Sequence, residues 1–517
     1  MKIRALAYGF ACLFAFALTV AAADTKRPNI LFIYTDDHSY RTVSCYEGAD
    51  SWVRTPNIDR LATRGVRFTH AYIGTWCMPS RATMLTGLHQ FGVQTMRMEG
   101  KYPGCEYDPA RCRFWPAEFR KQGYQTAQIG KWHTGTDTGF GRDWDYQIVW
   151  NRPKYPENAG NYYYDQLLTF NGSETKLTKG YSTDNYTQWA VDYIRGGHRD
   201  AGKPWYLWLC YGGVHSPYTP ADRHKEDYPG AKVPTPADIY PPRPGKPDYM
   251  QKINTWAPGL NGEPILRRGE QGKQVGDDES TGKGRTLSDW VRQYNQAVKA
   301  LDEGIGKVLA ALEESGQLKN TLVIFTSDQG FAWGQHGFRH KLAPYDANIR
   351  SPLIISMPGN IPEGKVCHAP VGGVDLVPTI FSFAGLKLPW EMHGHDLSPL
   401  LKKPDAPWPH ATMMPFTGDR FGADTDRIPA DGHLYHNGVA WYVLLTQGHL
   451  KYIRTLVAGE IEELYDLQAD PEELTNLALD AKHATTLKQF REATVQELRR
   501  TKAGFAAALP GVKSAAR

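Results

Sequence analysis

The chain has 517 residues, 41% hydrophobic and 12% aromatic, with a formal charge of +4 that becomes +2 without Lys2 and Arg4. That length favours one large domain with a smaller companion, and the composition excludes a disordered chain. The near-neutral balance excludes a polybasic face for nucleic acid, so any basic cluster is local.

Met1 to Ala23 reads as a secretory signal peptide: Lys2 and Arg4 begin it, Ala5 to Val20 is apolar, and Ala21-Ala22-Ala23 supplies small residues for cleavage. A membrane anchor is the competing reading, but the run is short and Asp24-Thr25-Lys26-Arg27-Pro28 follows at once. No other stretch approaches the ~20 apolar residues of a membrane helix. The expectation is an exported protein, periplasmic or extracellular after cleavage, with no stable membrane insertion.

Asn29 to Tyr34 is a continuous apolar run, the pattern of a central strand covered on both faces. It ends in Thr35-Asp36-Asp37-His38. Adjacent carboxylates at the end of a buried strand are costly without a positive partner. The carboxyl edge of an open α/β sheet is where ligands bind, and a hard cation such as Ca2+ or Mg2+ suits carboxylate oxygens. A solvated Asp-Asp turn is the plainer alternative.

A short helix opening at Thr55-Pro56 and a strand over Val66–Tyr72 lead into Thr75-Trp76-Cys77-Met78-Pro79-Ser80-Arg81-Ala82-Thr83. Cys77 stands at the mouth of a helix, with Pro79 preset for its first turn and Gly87 as its stop. The free N–H groups and positive helix end favour an anion beside Cys77, the setting of an activated cysteine. A cysteine that simply begins a helix is the alternative.

Next come a helix around Pro116 to Gln122 and a strand, Tyr124 to Ile129, that ends in Gly130-Lys131-Trp132-His133. Lys131 and His133 alternate by two, so extended geometry puts both on one side. A cation and an imidazole suit an anionic substrate and proton transfer. Trp144 to Tyr164 is aromatic-rich; Trp144, Trp150 and Tyr155 suit sugar stacking and core packing equally. The strand Pro204 to Tyr211 ends in Gly212-Gly213-Val214-His215, and Cys210 within it reads as an inert buried thiol.

Tyr218 to Asp289 is a Pro/Gly-rich insert with little periodicity, of the kind that is functional or disordered. Leu287 to Leu312 carries Trp290, Tyr294, Val298, Leu301 and Ile305 at helical spacing and reads as a core-facing helix. The strand Thr321 to Thr326 ends in Ser327-Asp328-Gln329. Four apolar strands thus stop at polar residues of ligand type, which favours a shared functional edge. Gly334 to Lys341 is a cation-rich loop, Ser351 to Gly359 a further strand, and Asp375 a helix N-cap. Past about Lys402 the character changes. Leu434 to Arg454 and Glu463 to Leu467 read as antiparallel strands, followed by a helix over Ala484 to Lys502. Cys105 and Cys112 can close a short loop in an oxidising compartment, and the odd cysteine count leaves a free thiol.

Cys77-Met78-Pro79-Ser80-Arg81 resembles the Cys-x-Pro-x-Arg core of the sulfatases of the alkaline-phosphatase superfamily. In that family the cysteine is oxidised after synthesis to formylglycine, an aldehyde whose hydrate is the nucleophile. The similarity covers nearly the whole mature chain in family order. It implies an α/β fold: a large mixed, mostly parallel sheet sandwiched by helices, with a smaller C-terminal α+β subdomain. The expected division is a signal peptide over 1–23, a catalytic domain over 24–405 and the subdomain over 406–517.

The resemblance also implies roles. Asp36, Asp37, Asp328 and Gln329 map onto metal ligands, completed by the modified Cys77, around Ca2+ with Mg2+ as the alternative. The family often has Asn at the last position; Gln329 keeps the amide oxygen and adds a methylene. Arg81 holds the hydrated formylglycine. Lys131 and Lys341 grip the sulfate, Lys341 lying five residues after His336 as in the family pattern His-Gly-x-x-x-Lys. His133 and His215 handle protons. The cation and both lysines offset the charge of the ester and its transition state. A hydrate hydroxyl attacks sulfur, His215 or Lys341 protonates the departing alcohol, and His133 is the base that restores the aldehyde. A formylglycine-generating maturation enzyme is thereby a partner.

The export signal, insert and aromatic loops fit a sulfated carbohydrate as substrate. Arg339, His340, His393 and His395 are candidate substrate-binding residues and, equally, structural ones. Rival readings are an arylsulfatase of small substrates, a phosphate or phosphonate monoester hydrolase on the same fold, and a degenerate exported glycan-binding scaffold. The last expects a loss among Asp36, Asp37, Cys77, Arg81, Lys131 and Asp328, and all are present. No His-Glu-x-x-His occurs, which disfavours a zinc protease.

Overall fold

The computed structural model describes residues 27–95, 107–152, 154–267, 283–430, 432, 434 and 438–513. The expected leader and Cys105, with its pairing to Cys112, lie outside the described residues. Along the chain, β1 (Asn29–Thr35), α1 (Pro56–Thr63), β2 (Val66–Tyr72) and α2 (Cys77–Thr86) lead to α3 (Pro116–Lys121) and β3 (Gln125–Lys131). Then come β4 (Tyr146–Trp150), β5 (Tyr164–Phe170), β6 (Glu174–Tyr181), α4 (Ser182–Ile194) and β7 (Trp205–Cys210). A hairpin, β8 (Trp256–Pro258) with β9 (Pro264–Leu266), lies in the Pro/Gly-rich insert before α5 (Leu287–Glu314), β10 (Thr321–Ser327), α6 (Asp346–Ile349) and β11 (Arg350–Ser356). The remainder is β12 (Lys365–Cys367), β13 (Val371–Gly372), α7 (Gly373–Phe383), α8 (Ser398–Lys402), β14 (Thr412–Phe416), β15 (Tyr442–Gln447), β16 (Leu450–Thr455), β17 (Glu462–Asp466) and α9 (Ala484–Arg500).

One sheet runs β12-β2-β11-β10-β1-β7-β3-β4-β5-β6, with β13 also on β2. Its centre, from β10 to β4, is parallel, and β11, β5 and β6 add antiparallel pairs. The continuous apolar runs follow from cover on both faces. Ile30, Phe32 and Tyr34 of β1 enter one core with helices α2, α3 and α7, while Leu31 and Ile33 enter the other with α1, α4 and α5. Helix α5 starts at a capping box: the Thr286 side chain accepts from the Asp289 N–H, and the Asp289 carboxylate accepts from the Thr286 N–H. Burying each of its large apolar side chains stabilises the packing by about 1.5–3 kcal/mol.

The N-cap reading of Asp375 is corrected. Gly372 is the cap, and Asp375 stands three residues on, where its carboxylate accepts from the Gly372 N–H at 2.7 Å. Trp144 and Trp150 are fully buried packing residues, Trp144 lying 5.8 Å from the Tyr206 ring and Trp150 4.5 Å from Tyr162. The C-terminal sheet, β14-β15-β16-β17, is antiparallel. Val443, Leu445 and Tyr452 on one face pack against Leu487 and Phe490 of α9. Its other face, with Phe416, Tyr442 and Ile453, joins the core of the large sheet. Among the described residues no helix is long and apolar enough to cross a membrane.

Candidate active site

Adjacent parallel strands end together, so their carboxyl ends share one edge. Asp36 and Asp37 follow β1, Asp328 and Gln329 follow β10, Lys131 closes β3, and His215 follows β7. The Asp37 N–H donates to Asp328 Oδ1 at 3.0 Å, and Gln329 Nε2 donates to Asp37 Oδ1. Gly130, at φ +105°, lets β3 pass beside β7, since a Cβ there would stand 2.0 Å from the Cys210 carbonyl oxygen. Cys77 enters from the first turn of α2, a helix buried on every side and closed by Gly87 at φ 71°. One ligand atom from each of Asp36, Asp37, Cys77 and Asp328 lies within 4.8 Å of the others.

Three buried cations surround these acids. Arg81, four residues after Cys77 and so on the same helix face, donates through Nη2 to Asp36 at 3.1 Å and Asp328 at 3.3 Å, and through Nη1 to the Lys131 carbonyl at 3.1 Å. Lys131 Nζ pairs with Asp36 Oδ2. Lys341 Nζ donates to Asp37 Oδ1 at 2.6 Å and lies 3.0 Å from Cys77 Sγ.

Burial opposes every charge here, and the partners decide the outcome. For Asp36, burial is outweighed by Lys131, His215, Arg81 and Lys341, which hold its carboxyl far below the usual range. Burial and then Asp36 push Asp328 up to about 7, against the pull of Arg81. Burial and then Asp36 also push the Cys77 thiol up to about 12, in spite of Lys131 and Lys341. The expectation of a thiol activated by a helix end is therefore corrected: the unmodified side chain is a neutral thiol at ordinary pH. His133 and His215 are held well below the usual imidazole range, first by burial and then by the neighbouring lysines, so both are neutral.

The donor set fits a hard divalent cation. Three carboxylates converge, and Gln329 Oε1 is buried without a hydrogen-bond partner, an acceptor available to such an ion.

Arg339 and His340 sit on the loop that carries Lys341; the Arg339 guanidinium is 5.8 Å from the Trp290 ring and the His340 ring 6.1 Å from Phe331. The structure does not bring His393 and His395 to the cluster. The His393 N–H donates to the Gly87 carbonyl at the far end of α2, about 15 Å from Cys77 at the helical rise per residue. His395 stacks on His410 at 3.7 Å, and its N–H donates to Asp375. Tyr162 was missed. Its ring lies parallel to His215 at 4.0 Å, Lys131 Nζ is 5.1 Å from the ring centre, and Arg152 Nη1 donates to its hydroxyl at 3.0 Å. The aromatic-rich stretch around it was the available signal, but it does not single out one ring.

A mostly parallel sheet between helices, an antiparallel appendage and an ionisable cluster at the carboxyl edge define an α/β enzyme of the alkaline-phosphatase type. The Sulfatase family model matches residues 28–386, and the chain belongs to that family, a sulfuric ester hydrolase of the alkaline-phosphatase superfamily. It is 30% identical to an N-acetylglucosamine-6-O-sulfatase of Bacteroides thetaiotaomicron, over 91% of this chain and 86% of the relative. It is 25% identical to the human N-acetylglucosamine-6-sulfatase, over 88% and 82%. A solved structure in complex with its substrate D-glucosamine-2-N,6-O-disulfate superposes with a TM-score of 0.74 at 26% identity, covering 92% of this chain and 98% of that one. A phosphonate monoester hydrolase of Agrobacterium radiobacter shares the fold at a TM-score of 0.65 and 23% identity, over 92% and 96%.

Proposed function

We propose that this protein removes sulfate from a carbohydrate monoester of the 6-O-sulfated glucosamine type, using a formylglycine made from Cys77. The observation that carries the reading is Cys77 itself: a buried cysteine at the start of α2, its sulfur within 4.8 Å of a carboxylate oxygen from each of Asp36, Asp37 and Asp328, with Lys341 3.0 Å from it. The printed activities of the two glucosamine-6-sulfatase relatives, and the disulfated sugar of the structural neighbour, support the substrate class.

Asp36, Asp37, Asp328 and Gln329 would hold the ion, Ca2+ by preference and Mg2+ otherwise, which when bound supplies a Lewis acid beside the ester oxygens. Formylglycine at position 77, once it has added water, would supply one of its two geminal hydroxyls as the nucleophile. Arg81 orients residue 77 from one turn further along α2. Lys131 and Lys341 bind the sulfate oxygens and offset the charge that grows there. His215 is neutral in the resting state and its Nδ1–H donates to the Ser216 carbonyl at 2.9 Å, so Nε2 carries a lone pair and no proton. The proton for the departing alcohol comes from the Lys341 ammonium, the other candidate acid. His133, also neutral, is the base for the second half of the cycle. The mature enzyme comprises a catalytic domain to residue 405 and a subdomain from 406, exported after loss of residues 1–23 and matured by a formylglycine-generating enzyme.

The matured protein is to be assayed on N-acetylglucosamine 6-O-sulfate, glucosamine 6-O-sulfate, an aryl sulfate, a phosphate monoester and a phosphonate monoester. Release of sulfate from the sugars, abolished in Cys77→Ala with an unchanged melting curve, is the expected result. Turnover of the aryl sulfate alone overturns the sugar assignment, and preference for the phosphorus esters overturns the reaction.

A further inference from the structure

The C-terminal sheet supplies none of the residues of the acidic cluster, yet it is bonded to the loop that carries Lys341. The residue after Lys341 is Leu342, whose backbone stands at φ +86°. A leucine adopts that conformation only where its surroundings hold it. Tyr442 of β15, fully buried, donates its hydroxyl to the Leu342 carbonyl at 2.6 Å. On the other side of Lys341, the His340 carbonyl accepts from the Ala332 N–H at 3.1 Å and from Asn348 Nδ2 at 2.8 Å. The carbonyls before and after the lysine are thus both pinned, one from within the large domain and one from the C-terminal sheet.

Buried ions set that sheet in register against the same segment. Lys451 of β16 pairs with Asp346 at 2.8 Å and with Glu473 at 2.7 Å, and the Asp346 N–H donates to Glu473 at 2.6 Å. Asp346 opens α6, four residues after Leu342. Lys246 of the insert donates to the Tyr465 hydroxyl at 2.8 Å and the Glu473 carbonyl at 2.7 Å. Sliding β15 and β16 along this surface separates buried charges from their partners, so Tyr442 is held to one position.

We infer that Tyr442 is a positioning residue for Lys341: its hydroxyl fixes the Leu342 peptide and, through it, the direction in which the Lys341 ammonium meets the anionic ester. The inference rests on the role proposed above for Lys341. Without the hydroxyl the Tyr442 ring still fills the core, but the peptide at φ +86° is free to relax and carries the lysine with it.

A double-mutant cycle tests this on full-length, matured enzyme, with whichever sulfate ester of the panel is hydrolysed. Formylglycine content and melting temperature are measured for each variant. Tyr442→Phe is expected to lower kcat/KM by about 10- to 100-fold, the scale of a displaced catalytic group. In a Lys341→Ala background the same change is expected to cost less than about 2-fold, because the two act as one unit. Equal losses in both backgrounds, or no loss in either, overturn the inference. So does a Tyr442→Phe protein that fails to fold, since the hydroxyl then serves the core rather than the lysine. Full activity in Lys341→Ala alone refutes the role of the lysine instead, a separable outcome.

Discussion

Arg81 has no exposed surface and divides its guanidinium between Asp36 and Asp328. Arg81→Met leaves both carboxylates short of a partner, and breaking a buried pair from one side costs about 3–5 kcal/mol. A denaturant melt of the matured variant is expected to show that loss together with loss of turnover; superimposable melts contradict it. At this scale the residues that end apolar runs were legible: Asp36, Lys131, His215 and Asp328 each close a stretch too apolar to bear a polar tip without reason. Tyr162 was not legible, because its contact with His215 joins the approach to β5 with the end of β7, 52 or more residues apart along the chain as measured by the neighbouring Tyr163–His215 bond. His393 and His395 were candidates as histidines alone, and only the length of α2, whose closing Gly87 holds His393, shows how far that residue stands from Cys77.

Elements were read most surely where one periodicity was unmixed. The strands β1, β7 and β10 are largely apolar runs because both faces are covered, and α5 keeps its three-and-four spacing from Trp290 to Leu312, enough to set its type and its start, while the helix runs on to Glu314. Helix α7 was placed, but its first turn was misjudged, because an acid near a helix start suits the cap and the third position alike. The distinction has a measurable side. The Asp375 carboxylate accepts from the Gly372 N–H and from the His395 N–H, both at 2.7 Å. Asp375→Ala strands both donors, and each buried unsatisfied group costs about 1–3 kcal/mol. Equilibrium unfolding of the variant is expected to show a loss of that order, and Asp375→Asn a smaller one. An undiminished midpoint in Asp375→Ala refutes the assignment.

Across the whole molecule, the two-part build was visible in the change of character after Lys402, but the way the second sheet meets the Lys341 loop was not. That contact depends on Lys451, Glu473 and Asp346, charged residues whose sequence pattern gives no sign of burial. Buried histidines add a property of the entire fold. Burial lowers His38 to about 3, and burial with nearby cations lowers His70, His336 and His393 to about 4. In the unfolded chain each titrates near 6.5, so between about pH 6.5 and 4 the unfolded state binds more protons than the folded one. The stability these histidines contribute is therefore complete above that window and declines as pH falls through it. Asp328 and Glu473, pushed up by burial to about 7, and Asp143 and Asp375, to about 6, act with the opposite sign over the same window. The histidine part is therefore read as a difference: the melting temperature of the wild type minus that of His393→Gln is expected to fall below about pH 6.5. A difference that does not change with pH contradicts the buried, neutral state of that ring.

The chemistry proposed for this site depends on what Cys77 becomes. Tandem mass spectrometry of the peptide containing residue 77, from protein made alongside a formylglycine-generating enzyme, measures this directly. The aldehyde or its hydrate is expected, in a fraction that rises in step with specific activity across preparations. Fully active protein carrying only unmodified cysteine at that position would contradict the account.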